Sequence, residues 1–274
     1  MIGFSEGFHD AAVAVVNDGK ICYATHSERY SKIKHDKHLD ITAASTAQLL
    51  CHDGKIAFYE RPWLKRTRQL FAGQKAWYRP RHLSLKPTHY YSHHKSHAAA
   101  AFQTSPFEQA ACVVVDSIGE WDTTSIWTAE YKNGKAVYKK RWSQWYPQSI
   151  GLWYSALTKW AGLRPLDEEY IFMGMAGFGN PVHMNVVERQ LHKNNHKGAR
   201  IGDYDKCDIA KSAERILQLE LNNIFARAST YSKHICYGGG VALNCVVNTG
   251  LREMYNMWIM PCPGDAGGAL GAAC

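Results

Sequence analysis

Apolar and polar positions along this chain fall first into strand-length runs broken by tight turns, and then into longer stretches of helical period. Ile2 to Ser5 is a brief apolar run, the polar loop Glu6 to Asp10 follows, and Ala11 to Val16 is a second run. Asn17-Asp18-Gly19 has the composition of a reversal and returns the chain into a third strand, Lys20 to Ser27. The same grammar recurs later. Ala111 to Asp116 reads as a strand, Ser117 to Asp122 as a glycine-containing loop and Thr123 to Tyr131 as another strand; Asn133-Gly134 turns the chain into Lys135 to Trp142.

Two copies of strand, polar loop, strand, turn, strand predict an internal duplication. Coincidental hairpins are the simpler explanation, but helical segments follow each copy in matching order. After the first they are Thr42–Cys51, Pro62–Ala72 and His93–Gln103; after the second, Ser149–Trp160, Asp208–Ser229 and Ala242–Met254. The expected fold class is therefore α/β, with a first lobe over residues 1–109 and a second over 110–274. The polar loops of both lobes would face a central cleft suited to a nucleotide.

Other segments are less periodic. Glu28 to His38 is charged and reads as a loop, whose Arg and Lys side chains suit an anion at the cleft mouth. Arg61 to Lys86 mixes basic residues with Trp63, Phe71, Trp77 and Tyr78, a pattern that serves nucleic acid and equally an amphipathic helix with a linker. Pro181 to Cys207 reads as a polar surface connection. Near the end, Ile235-Cys236-Tyr237 opens into Gly238-Gly239-Gly240 and Asn244, and the strand Met257 to Met260 opens into Gly264-Asp265-Ala266-Gly267. Glycines at such strand-to-helix junctions let backbone N–H groups approach a phosphate or ribose.

Composition narrows the class. With 46% hydrophobic residues among 274, a sizeable core is available and wholesale disorder is excluded. A net charge of +8 favours an anionic ligand without choosing among nucleotide, nucleic acid and phosphorylated substrate. The eight cysteines include no C-x-x-C pair, which argues against a zinc ribbon or iron–sulfur site. No signal peptide or membrane-length apolar run is seen, so a cytoplasmic, reducing setting is the default expectation.

The candidate chemistry centres on Tyr91-Ser-His-His-Lys-Ser-His-Ala-Ala-Ala-Ala-Phe102. Ser92 is placed to cap a helix, and His93 and His97, four apart, share one face of it. Asp116 ends a nearby strand, completing a nitrogen/oxygen set suited to a metal. A histidine-rich helix start with structural polar contacts is the plainer reading.

Taken together, the motifs resemble a known family. Phe8-His9-Asp10, Glu28-Arg29 with Lys34-His35-Asp36, His93-His94-Lys95-Ser96-His97-Ala98-Ala99, Asp116-Ser-Ile-Gly119-Glu120-Trp121, Met173-Gly174-Met175-Ala176, Gly239-Gly240-Val241-Ala242-Leu243-Asn244 and Pro263-Gly264-Asp265-Ala266-Gly267 occur in family order over essentially the whole chain. The chain resembles the catalytic domain of the O-carbamoyltransferases, which include antibiotic and nodulation-factor carbamoyltransferases. That domain is similar to the tRNA threonylcarbamoyl transferase subunit, in the actin/hexokinase/sugar-kinase superfamily.

The resemblance implies a divalent metal, Fe2+ or Mn2+, held by His93, His97, Asp116 and Asp265. It implies ATP and carbamoyl phosphate as sources of a carbamoyl-adenylate, whose carbamoyl group passes to an acceptor hydroxyl. Gly119, Glu120, Gly239, Gly240, Asn244, Gly264 and Gly267 would lie about the adenosine and its phosphate. His9 would act on the acceptor and Asp10 would orient it, with Arg29, Lys34 and His35 at the carbamoyl or phosphate end. His94 is expected to pack or support, not to ligate.

Two departures stand out. Relatives carry a lysine shortly before their Met-Gly-Leu-Ala segment, where this chain has Ile171, and they continue into a further C-terminal domain associated with making the adenylate. The closing helix expected of the second lobe is scarcely represented before Cys274, so a compact variant, a fragment and half of a split enzyme with a protein partner all stand as readings. For the acceptor, a hydroxyl-bearing small molecule leads and a hydroxymethylated nucleotide or DNA base follows. Three rival identities stand beside the carbamoyltransferase: a tRNA threonylcarbamoyl transferase-like subunit, a non-catalytic nucleotide-binding partner of a split enzyme and, weakest, a sugar kinase, in which a His/His/Asp metal set has no obvious purpose. No membrane partner is expected.

Overall fold

A computed structural model describes residues 1–74 and 84–274. The first sheet is built from β1 (Ile2–Ser5), β2 (Ala12–Asn17), β3 (Lys20–His26), β4 (Ile56–Phe58) and β5 (His89–Tyr90). Between them run α1 (Glu28–Ser31), α2 (Ile41–Leu50) and α3 (Pro62–Phe71), and α4 (His93–Gln103) leads to the second sheet. That sheet begins with β6 (Gln109–Gly119), β7 (Asp122–Lys132) and β8 (Lys135–Trp145). Next come α5 (Ile150–Trp160), α6 (Glu169–Met175), α7 (Met184–Leu191) and α8 (Lys206–Ser229). The chain finishes with β9 (His234–Gly238), α9 (Cys245–Met254), β10 (Asn256–Ile259) and α10 (Asp265–Ala273).

The strand orders carry the duplication. The first sheet runs β3-β2-β1-β4-β5 and the second β8-β7-β6-β9-β10. In each, the first three strands form an antiparallel meander and the last two join in parallel. The tight turns fall where expected, with Asp18, Gly19, Asn133 and Gly134 all at positive φ.

Each sheet has its own core. Phe4, Val13, Phe58, Ala43 and Ala47 bury one side of the first sheet. Trp153, Leu157, Phe172, Ile209, Leu217 and Phe225 from α5, α6 and α8 cover the second. A fully buried side chain of this size contributes about 1.5–3 kcal/mol. Helices α4 and α10 occupy the inner side. Ala98, Ala101 and Phe102 of α4 lie on Cys112, Val114 and Cys236 of the second sheet, while Ala100 meets Ala14, Leu270 and Ala273. Helix α10, from the far end of the chain, packs on β1 and β2 of the first sheet.

Several expectations need correction. The stretch Ser117 to Gly119 is not loop: β6 continues through a register shift and pairs Gly119 with Asp122, leaving a turn in which Glu120 has φ +54°. Pro181 to Cys207 contains α7, whose Val187 and Leu191, four apart, are buried on one face; that short apolar pattern was hidden among polar residues. Glu28 to His38 opens with the one-turn helix α1. Ala242 to Met254 splits into a 3-10 turn, Gly240–Leu243, and α9, which Asn244 caps. The last segment, Asp265–Ala273, is helix α10, every residue of which is buried, and it packs on α4 and on β1 and β2 of the first lobe. Its alanines and glycines offer no amphipathic stripe, which is why periodicity did not reveal it.

Candidate active site

The histidine helix α4 packs between the second sheet and α10. Ser92 holds the N-cap position but its side chain makes no cap bond. The carboxylate of Glu120 does that work instead, its Oε1 accepting from the backbone N–H groups of His93 (3.3 Å) and Arg61 (2.7 Å). A reversal at φ +54° and a glycine just before it bring Glu120 there: a methyl group on Gly119 would overlap the His93 ring.

One turn apart on α4, the Nε2 atoms of His93 and His97 lie 3.1 Å from each other. His93 Nε2 is 3.0 Å from Asp116 Oδ2, and both imidazoles are 3.3 Å from Asp265 Oδ1. The ligand atoms of these four buried residues lie within 4.8 Å of one another. Two imidazole nitrogens and two carboxylates in so small a volume could hold a divalent transition metal.

The electrostatics suit a cation. Burial opposes the charged form of His93, but Asp265, Asp116 and Glu60 outweigh it and raise its pKa well above the usual value. Burial also works against the Asp265 and Asp116 carboxylates, yet the neighbouring histidines hold both below their ordinary range. Glu60, which sequence reasoning missed, lies 3.6 Å from His93 Nδ1 and 2.9 Å from Lys65 Nζ. This buried Glu-Lys pair stands on the opposite side of the His93 ring from the cluster, and only the fold brings it there. His94 stays out of the cluster. Its Nδ1 meets Ser125 Oγ at 2.7 Å, and burial together with His93 pushes its pKa well down.

From Asp265 a chain of polar contacts leads toward the surface. His9 Nε2 is 3.6 Å from Asp265 Oδ2, and His9 Nδ1 is 2.7 Å from Asp10 Oδ2. Asp10 Oδ1 in turn meets His35 Nδ1 at 2.7 Å. His35 Nε2 lies 3.4 Å from Asp167 Oδ1, a carboxylate of the second lobe that also pairs with Lys34 and Arg164. Burial lowers the pKa of His9, but Asp265 and Asp10 more than offset it, and the net shift is upward. Asp10 is lowered: burial raises it, and its bonds to His9 and His35 outweigh that.

The structure thus brings together His9, Asp10, His35, His93, His97, Asp116 and Asp265. Lys34 joins through Asp167, so its ammonium is already paired. Arg29 does not join: its side chain is 73% exposed and reaches only Glu28 among the described residues. On the glycine side, Gly240 N–H donates to Asp116 Oδ1 at 3.1 Å, linking that junction to the cluster. Gly239, at φ +92°, lies against the Val115 carbonyl, and Gly264 precedes Asp265 as the cap of α10, with Gly267 against the Cys262 carbonyl. Asn244 Oδ1 is occupied in capping α9 through Val247 N–H, 3.1 Å away. Of the basic aromatic segment, Trp77 and Tyr78 lie outside the described residues.

Two lobes of like topology, with buried histidines and aspartates and glycine turns at their junction, have a fold of the actin/hexokinase type. The activator of 2-hydroxyisocaproyl-CoA dehydratase from Clostridium difficile, solved with bound ADPNP, superposes with a TM-score of 0.54 at 11% identity, covering 100% of this chain and 92% of that one. Full-length HypF in a phosphate- and nucleotide-bound form gives 0.54 at 14% identity, covering 99% and 54%. The family model described as carbamoyltransferase N-terminus matches residues 57–204 and 193–274, and the chain belongs to that family. The uncharacterized protein sll1178 of Synechocystis sp. is 30% identical, covering 100% of this chain and 56% of the relative. Nodulation protein NolNO of Sinorhizobium fredii is 25% identical, covering 97% and 46%. The chain therefore spans about half the length of these curated relatives. The alignment to sll1178 runs over 351 positions against the 274 residues of this chain, so that relative carries segments this chain lacks.

Proposed function

We propose that this chain is the transferring unit of a metal-dependent O-carbamoyltransferase, moving a carbamoyl group from carbamoyl-adenylate to an acceptor hydroxyl. One observation carries the reading: His93, His97, Asp116 and Asp265 converge beside His9, with His9 Nε2 3.6 Å from Asp265. Family membership supports the carbamoyl group, and a fold shared with nucleotide-bound neighbours supports the adenylate.

The four-residue set fits a divalent metal, because its nitrogen and oxygen donors converge and the carboxylates are held ionised. When bound, such an ion would withdraw charge from the phosphate that departs with AMP. His9 accepts the hydroxyl proton as the acceptor oxygen bonds to the carbamoyl carbon; the bond from that carbon to the phosphate oxygen breaks, and its electron pair leaves with AMP. Asp10, bonded to His9 Nδ1, fixes the ring and stabilises the imidazolium that forms. Asp167 and His35 tie the two lobes together and keep Asp10 in place. The acceptor in this reading is a hydroxyl-bearing small molecule.

The test supplies synthetic carbamoyl-adenylate and a panel of hydroxyl-bearing sugars to the metal-loaded chain. Carbamoyl ester and AMP in equal amounts are expected; hydrolysis without ester for every acceptor, at the rate of a boiled control, contradicts the reading.

A further inference from the structure

Helix α3 is inside out. It buries Pro62, Lys65, Arg68 and Gln69 while Trp63, Leu70 and Phe71 face outward at 52%, 60% and 74% exposure. Lys65 has an account, because its ammonium meets Glu60. Arg68, one turn further along the same face, has none. It is 5% exposed, and its Nε and Nη1 have no hydrogen-bond partner among the described residues.

A buried guanidinium without a counter-ion is costly. The carboxylate that acts on it electrostatically, Glu60, is already bonded to Lys65. The segment 75–83 supplies no acid, since its sequence is Lys-Ala-Trp-Tyr-Arg-Pro-Arg-His-Leu. Tyr146, from the second lobe, lies with its ring 5.7 Å from the guanidinium carbon. That contact offsets part of the cost but satisfies neither N–H. The second lobe adds another such group: His196 packs edge-on against Tyr146 with ring centroids 5.9 Å apart, and its buried Nδ1 has no partner among the described residues. The Gln74 side-chain amide faces the other ring nitrogen, Nε2. Unpartnered buried nitrogens from both lobes therefore meet around one aromatic ring.

We propose that Arg68 and His196 form a binding site for a phosphate-type oxyanion at the seam between the lobes, separate from the histidine/aspartate cluster. The planar guanidinium offers a two-pronged edge to paired oxygens, and the imidazole supplies a third donor. Such a ligand bridges the lobes and is enclosed once bound. Its phosphate can belong to free phosphate, to the carbamoyl donor or to a phosphorylated acceptor, and the experiment separates these.

Isothermal titration of the full chain with inorganic phosphate, carbamoyl phosphate and glucose 6-phosphate reads the site. The wild type should bind at least one of them. Arg68→Met should weaken that binding at least about tenfold, the scale of a lost charge-assisted bond, with metal content and far-UV dichroism unchanged. His196→Phe, which keeps the packing on Tyr146, should weaken it about fivefold. Carbamoyl phosphate alone binding would assign the phosphate to the donor; glucose 6-phosphate binding more tightly than phosphate would assign it to the acceptor. Binding of none of the three by the wild type, or affinities unchanged in Arg68→Met, overturns the site. So does an Arg68→Met chain that fails to fold or loses its metal, because the guanidinium would then be a structural strut.

Discussion

His97 and Asp265 stand 168 positions apart in the chain, yet His97 Nε2 and Asp265 Oδ1 are separated by 3.3 Å. The approach depends on the alanine run of α4 and on α10, which is made almost entirely of small residues. Gly271 of α10 lies against the Ser96 carbonyl of α4, and Gly268 against the Tyr59 ring, so neither position has room for a methyl group.

Gly271→Ala should therefore push the helices apart. Overpacking of this kind costs about 1–3 kcal/mol, and a thermal melt of the metal-free chain should register it as a lower midpoint. The same variant should bind metal more weakly, because Asp265 rides on α10. A melt superimposable on the wild type would show that the helix crossing is looser than the structure has it.

Glu60 meets His93 on its Nδ1 side, away from the Nε2 that faces Asp116 and Asp265, so its variant separates orientation from ligation. In Glu60→Gln, His93 and Lys65 both lose the carboxylate they share. Metal affinity should fall about 10- to 100-fold, the usual range for the partners of ligating imidazoles. Unchanged affinity by competition with a chromogenic chelator would assign Glu60 to lobe packing alone.

His9→Ala should keep its metal and its adenylate while transfer falls about 10²–10⁴-fold, the span for a lost general base. Retained transfer would remove His9 from the mechanism. If metal content falls with activity, the contact to Asp265 is holding the ligand set together and the base must be sought elsewhere.

Metal uptake should be coupled to protons. In the metal-free chain Asp265, Asp116 and Glu60 raise the pKa of His93, so the imidazole stays protonated near neutrality. A ligating nitrogen must lose that proton, so affinity should climb with pH through the neutral range. The sign for the metal-free chain's stability is opposite: the His93 contribution is full below its unfolded pKa and fades as pH rises through the raised folded value. Titration in buffers of differing ionisation enthalpy should read about one proton released per metal bound. Zero release would mean that His93 is neutral before the ion arrives.

Local chemistry was legible where it was written locally. Asn133-Gly134 announces its turn, and His93 to Gln103 begins and ends as a helix where the histidine spacing and alanine run say it should. The duplication followed from repeated grammar, and the strand orders carry it. What stayed hidden depends on distance in the chain. Glu120 replaces Ser92 as the cap because β6 continues through a register shift, which no propensity encodes. Glu60 and Asp167 gain their roles only when β4 and the second lobe arrive beside His93 and His35. Arg29, named with Lys34 and His35 from the resemblance, points to solvent because α1 turns it outward.

The central claim is that four remote residues grip one divalent ion. Elemental analysis of the chain, purified without oxygen or chelator, measures it directly. About one equivalent of iron or manganese is expected in the wild type, with His93→Ala and Asp116→Ala each depleted while remaining folded. A wild-type chain that binds no divalent metal at any supplied concentration, or variants that retain the full complement, would contradict the account.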